Sequence, residues 1–129
     1  MDLDLAELPG IVKSYISAYN RKDVDALIAC VTDDVRFENV SNSGPSLATT
    51  SKAAFADLAR QSAEAFYERE QSVRRTVMGD DAVAVEIDYR ARLAADLPNG
   101  MKAGDVLQLR GVSLFKLRDG RIAEILDFS

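Results

Sequence analysis

The sequence has no histidine and a single cysteine, Cys30. A Ser-His-Asp triad, a Cys-His pair and an imidazole base are therefore excluded. A structural zinc site needs about four nitrogen or sulfur ligands, which this chain lacks. An all-oxygen magnesium or calcium site stays open in principle, but no Asp-rich calcium-binding loop occurs, so no metal is expected. One thiol forms no intrachain disulfide, and nothing demands an oxidising compartment. No apolar run approaches the roughly 20 residues of a membrane helix. Met1-Asp2-Leu3-Asp4 is acidic, with no basic start and apolar core of a signal peptide, so the expectation is a cytoplasmic protein without membrane contact. A net charge of -5 argues against nucleic acid, whose binding needs unopposed Lys and Arg. No glycine-rich phosphate loop is present, and no cofactor is expected.

What is present fits a globular domain. The chain has 129 residues, 47% of them hydrophobic and 29% charged with both signs mixed, which is enough apolar mass for one core. Leu8, Ile11, Val12, Tyr15, Ile16 and Tyr19 repeat at helical spacing, with Pro9 suited to the first turn. Asn20-Arg21-Lys22 ends that helix. Asp23 caps a second one carrying Val24, Leu27, Ile28 and Val31. Cys30 falls in this apolar segment and reads as inert core. Thr32-Asp33-Asp34 reads as a turn. Val35 to Asn39 alternates as a strand. Ser41 to Ser51, rich in Ser, Asn, Gly and Pro, reads as a loop that could close a pocket mouth. Ser51 caps a third helix through Phe55, Leu58, Ala59, Ala65 and Phe66.

The period then switches to two. Strands are predicted over Val73–Met78, Val83–Tyr89, Leu107–Leu117 and Ile122–Phe128, with turns at 79–81, 97–100 and 118–121. The order α-α-β-α-β-β-β-β, without repeat or linker, gives one α+β domain over residues 1–129. Three helices would cover one face of a curved, mostly antiparallel sheet and leave a cavity between the layers.

Parity assigns the faces. Burying Val83, Val85, Ile87 and Tyr89 is worth roughly 1.5–3 kcal/mol for each aliphatic side chain. Burying Glu86 and Asp88 unpaired would cost several kcal/mol apiece. Glu86, Asp88, Arg90 and Arg92 therefore point outward. Phe37 and Asn39 share the inner face, as do Gly111, Ser113, Phe115 and Leu117, and Ile125 with Asp127. Asp127 lies in the otherwise apolar Ile125-Leu126-Asp127-Phe128. A carboxyl in such surroundings has a raised pKa and can carry protons near neutrality. The opposing expectation is a frayed, solvated residue close to the last strand's end. Asn39 either orients water or a ligand carbonyl or caps a strand end. Ser113 is expected to bond nearby backbone. Tyr19, Phe55, Phe66, Tyr67 and Tyr89 read as core or pocket wall, and Val85, Ile87, Phe115 and Ile125 complete the candidate lining. Ten of the 16 Lys and Arg follow residue 68. With Glu86, Asp88 and Glu124 on the same strands, they read as a solvated face with cross-strand pairs. Val112, Leu114, Leu126 and Phe128 add an apolar patch to that face.

Three stretches carry a family resemblance. Residues 15–27, Tyr15-Ile16-Ser17-Ala18-Tyr19-Asn20-Arg21-Lys22-Asp23-Val24-Asp25-Ala26-Leu27, resemble the opening of ketosteroid isomerases and SnoaL-type polyketide cyclases. Asp33-Asp34-Val35-Arg36-Phe37 resembles their entry into the first strand, and Phe115 to Ile122 their final hairpin. The chain is thus similar to the nuclear-transport-factor-2-like superfamily over nearly its whole length. The resemblance implies a cone-shaped fold around a small hydrophobic ligand and a homodimer through the outer sheet face. It gives Tyr15 the role of an oxyanion donor and Asp127 that of the last-strand aspartate of the cyclases, an acid/base. Asn39 falls where the isomerases carry their aspartate base, and Ser113 where they carry a protonated aspartic acid. Losing those two acids argues against steroid isomerisation. Asn39 also resembles the water-holding asparagine of limonene-epoxide-hydrolase-like enzymes, although Phe37 replaces their tyrosine and their Arg-x-Asp pair has no clean counterpart. A cyclase, isomerase, dehydratase or hydrolase acting on a carbonyl or epoxide compound is expected. The alternative is a non-catalytic binding or interaction module.

Overall fold

Helix α1 (Gly10–Asn20) forms where the apolar stripe predicts it, burying Val12, Tyr15, Ile16 and Ala18. The computed structural model describes residues 8–41, 46–98 and 100–128. Pro9 stands just before the helix, and its carbonyl accepts from the N–H groups of Val12 and Lys13, each at 3.0 Å. Lys22, at φ 58°, ends α1: its N–H bonds Tyr19 and that of Asp23 bonds Ala18, the paired closure of a left-handed helix stop. Asp23 then caps α2 (Val24–Ile28), accepting from the Ala26 N–H at 3.1 Å.

Strand β1 (Val31–Val40) starts four residues earlier than predicted. Val31 is in the strand rather than the helix, and Thr32-Asp33-Asp34 is strand rather than turn. Val31 pairs with Ile122, both fully buried, and a register shift before Arg36 leaves Asp33 and Asp34 facing solvent. Thr32 donates to Asp34 at 2.8 Å, and Arg118 bonds the same carboxylate, so polar residues that read as a turn are held within the strand. A short β2 (Leu47–Thr49) lies in the predicted loop, paired antiparallel with β1 through Phe37↔Thr49. Residues 42–45 of that loop, and with them the idea that it closes a pocket mouth, lie outside the described residues.

Ser51 caps α3 (Lys52–Ala65) by accepting from the Ala54 N–H at 3.2 Å, and the helix buries Phe55, Ala56 and Ala59. Strand β3 (Phe66–Met78) follows without a loop, so Phe66 is strand rather than helix and the strand begins seven residues before the predicted Val73. Strands β4 (Ala82–Leu93), β5 (Val106–Arg118) and β6 (Arg121–Phe128) complete one sheet of order β2-β1-β6-β5-β4-β3. Asp119 and Gly120, both at positive φ, make the two-residue turn between β5 and β6. Among the described strands only the β1–β6 pairing is parallel.

The architecture is therefore α+β: among the described residues, three helices with a six-stranded, mostly antiparallel sheet that does not close, as in cone-like domains. Val12, Val31, Val35, Val83, Val85, Phe115, Ile122 and Ile125 are almost wholly shielded from water, and together they form the centre of the core. The outer face takes the charges. Asp88 accepts from Arg74 at 2.7 Å and lies 3.6 Å from Arg110, while Glu68 pairs with Arg92 at 3.4 Å. Val112 and Phe128 oppose each other there, both exposed, beside the Leu114↔Leu126 pair.

Candidate functional site

Register brings the inward polar residues into one row. Asn39 on β1 pairs with Asp127 on β6, Asp127 with Ser113 on β5, and Ser113 with Val85 on β4. The row below it, Phe37, Ile125, Phe115 and Val83, is apolar and buried. Asp127 is thus held on both sides within the sheet rather than frayed.

Ser113 bonds a side chain, not the backbone expected of it: its hydroxyl donates to the Asp127 carboxyl at 2.6 Å. Burial pushes Asp127 up from 3.8 to about 6, and the Ser113 hydrogen bond acts against that rise. Such a group is half-ionised near pH 6, keeps a minor protonated fraction at neutrality, and can both take and return a proton.

Two pockets, an outer and an inner lobe, meet at this row and share Tyr19, Asn39, Ser62 and Asp127 in their linings. The outer lobe, about 270 Å³, reaches Ile87, Tyr89, Gly111 and Ser113. The inner lobe, about 170 Å³, runs between the helices and the sheet past Tyr15, Leu27, Phe37, Phe55 and Leu58. Each is smaller than the about 300–1,000 Å³ usual for small-molecule sites. Of the candidate lining, Val85, Phe115 and Ile125 lie beneath the cavity floor, with no exposed surface. Tyr67, read as core or wall, is instead 63% exposed, because the register of β3 against β4 shifts between Phe66 and Glu68 and takes Tyr67 out of the inward row. Asn39 is exposed, at the cavity rim. Cys30 is buried just after α2, its thiol bonded to the Ala26 carbonyl and its pKa raised by burial.

Three tyrosines surround the cavity. Tyr15 is buried with its ring edge-on to Phe115, centroids 5.5 Å apart. Burial pushes its hydroxyl well above the ordinary value, and the Asp127 charge pushes the same way, so Tyr15 stays a protonated donor. Tyr19 donates to Tyr89 at 2.9 Å across the outer lobe.

Arg69 is the residue that sequence reasoning missed. It is 5% exposed, borders the inner lobe and stacks on Tyr19 with its guanidinium carbon 3.6 Å from the ring centroid. Nε donates to the Tyr19 carbonyl at 2.9 Å and Nη1 to the Ser62 hydroxyl at 3.0 Å. Gln71, two residues on, borders the outer lobe, and its buried Oε1 has no hydrogen-bond partner among the described residues. Carrying the two-residue period of β3 back from Val73 would have found both, since Arg69, Gln71 and Val73 alternate with Glu68, Glu70 and Ser72. Among the described residues no group of three or more Cys, Asp or Glu is placed to hold a metal ion. Nor is any helix among them long and apolar enough to cross a membrane.

A family model described as SnoaL-like domain matches residues 12–125. Among curated proteins no match is found. A candidate polyketide cyclase from Xanthomonas campestris pv. campestris superposes with a TM-score of 0.79 at 25% identity, covering 93% of this chain and 87% of the other. A second candidate polyketide cyclase, from Sinorhizobium meliloti, gives 0.74 at 20%, with 95% and 96% covered. An LEH-like epoxide hydrolase of M. tuberculosis gives 0.71 at 21%, with 92% and 78% covered. These likenesses extend the description of the fold to solved structures.

Proposed function

Because the chain belongs to the SnoaL-like domain family, we propose that it is a cofactor-independent enzyme moving a proton on a small, mostly apolar carbonyl or epoxide compound, with Asp127 as the acid/base. The observation that carries this reading is the Asp127 carboxyl in a shared cavity, hydrogen-bonded to Ser113 and raised to about 6 by burial. As a carboxylate it would take a proton from carbon next to a carbonyl, or from a water attacking an epoxide. As the acid it would return that proton to another atom of the same molecule. Tyr15, kept protonated by its surroundings, would donate to the oxygen that gains negative charge, and Asn39 would position substrate or water. Cyclisation, isomerisation, dehydration and epoxide opening share this scheme. The structures it resembles include candidate polyketide cyclases and an epoxide hydrolase, whose named activities fit it.

The test is a turnover screen over small β-dicarbonyl and epoxide compounds with wild-type protein and Asp127→Asn. The substitution is expected to lower turnover by about 10²- to 10⁴-fold while circular dichroism is unchanged. Full turnover without the carboxyl would reject the assignment. The second reading, a non-catalytic binding module, is favoured by Asn39 and Ser113 standing where isomerases carry acids. It predicts ligand binding without turnover, and an affinity indifferent to Asp127→Asn. The apolar strip of Val112, Leu114, Leu126 and Phe128 supports a homodimer formed through the outer sheet face.

A further inference from the structure

Arg69 has no part in the proton transfer assigned to Asp127, yet its placement is costly. A guanidinium stays charged inside a protein, and burying it without an anion is strongly unfavourable. Arg69 is 5% exposed, and its contacts are a carbonyl, a hydroxyl and an aromatic face. Its position at the end of α1 and over Tyr19 offsets part of the cost. Among the described residues it takes part in no ion pair, and Nη2 donates to none of them. The carboxylates pair instead with exposed arginines such as Arg74, Arg92 and Arg110, which water could have served. Asp127 is not the missing partner: its carboxyl accepts from the Ser113 hydroxyl at 2.6 Å, and among the described residues it forms no ion pair with Arg69. Arg69 borders a second pocket among Glu68, Glu70, Arg90 and Arg92, and on its other side the inner lobe, whose apolar walls include Tyr15, Phe37, Phe55 and Leu58.

We propose that the ligand of this pocket is itself an acid: a compound with an apolar body and one anionic oxygen group, a carboxylate or an ionised phenol or enol, which Arg69 receives at the inner end of the cavity. The apolar body would lie against Phe37, Phe55 and Leu58, and the anion would supply the counter-charge the protein omits. A forked guanidinium suits a planar anionic oxygen group, and such charge-assisted bonds are the strong ones. The inference rests on the cavity being the ligand site, as the reading above holds, but not on Asp127 being catalytic.

The experiment uses full-length Asp127→Asn protein, so that no turnover and no neighbouring carboxylate intervene. Benzoate, 2-naphthoate and 4-tert-butylcyclohexanecarboxylate are each titrated calorimetrically against their methyl esters at pH 8, and 4-nitrophenolate against 4-nitroanisole. At least one acid is expected to bind about tenfold to a hundredfold more tightly than its neutral partner. That preference should collapse when Arg69→Gln is added and persist, reduced, with Arg69→Lys. A preference confined to the carboxylates or to the phenolate identifies the source of the anion. Neutral partners binding as well as the acids, an acid preference that survives Arg69→Gln, or no binding by any acid would each overturn the proposal. If Arg69→Gln does not fold, the acid-against-neutral contrast decides alone. Turnover by Asp127→Asn would reject proton transfer by Asp127 and leave this inference standing.

Discussion

Asp127 and Ser113 form a pair whose balance depends on pH. The folded state holds the Asp127 proton more tightly than the unfolded chain does, because burial disfavours the carboxylate. The sign follows from linkage: stability from this group is complete below the unfolded value near 4 and declines as pH rises through about 6. Wild-type protein should therefore lose up to about 3 kcal/mol between pH 4 and pH 8 on this account. Asp127→Asn should lack that decline and be the more stable protein at pH 8, by urea unfolding. Equal slopes for the two proteins would show that the carboxyl is solvated. Asp127 and Asn39 could be picked out in the sequence because two-residue parity puts them on the apolar side of their strands. Arg69 was missed, since arginine is ordinarily a surface residue and the predicted strand begins only at Val73, four residues beyond it.

At the scale of elements, the least legible feature is the way α1 is tied to the start of β3. The ties are polar and come from distant parts of the chain. The Asn20 side chain accepts from the Gln71 N–H at 2.8 Å and donates to the Gln71 carbonyl at 3.2 Å. Lys22 donates to the Phe66 and Tyr67 carbonyls at 2.9 and 3.0 Å. Arg69 bonds the Tyr19 carbonyl. A hydrophobic pattern is silent about such bonds, which is why β3 starts earlier than its apolar alternation implies. Asn20→Ala removes both halves of one clamp and leaves Gln71 main-chain groups without it. It should cost about 1–3 kcal/mol in denaturant unfolding. A loss within error would mean that water replaces the amide. Strand β2 escaped notice for a related reason: three residues in a Ser- and Thr-rich stretch carry no period, and only pairing with β1 defines them.

At the scale of the whole molecule, the order of the described helices and of the five longer strands follows from periodicity, capping residues and turns. The pairing order does not, because nothing local in β6 says that it lies between β1 and β5. The outer face that this order creates gives the last expectation. Val112 and Phe128, adjacent only across strands, form the exposed centre of the proposed dimer contact. Light scattering at micromolar concentration should give twice the 14.1 kDa of one chain, and Val112→Glu should return the monomer mass. A wild-type monomer would rule this contact out.

The parallel place of β6 also bears on how the chain folds. The β2-β1 pair and the β5-β4-β3 sheet touch within the sheet only through β6, so neither half is complete until this late strand inserts. Contacts such as Asn39↔Asp127 span most of the sequence, the kind of topology that folds slowly. Until insertion, β1 and β5 present two facing rows of unpaired amides and carbonyls, a template for self-association. A chain interrupted before β6 would therefore be a hazard for aggregation rather than merely an inactive protein.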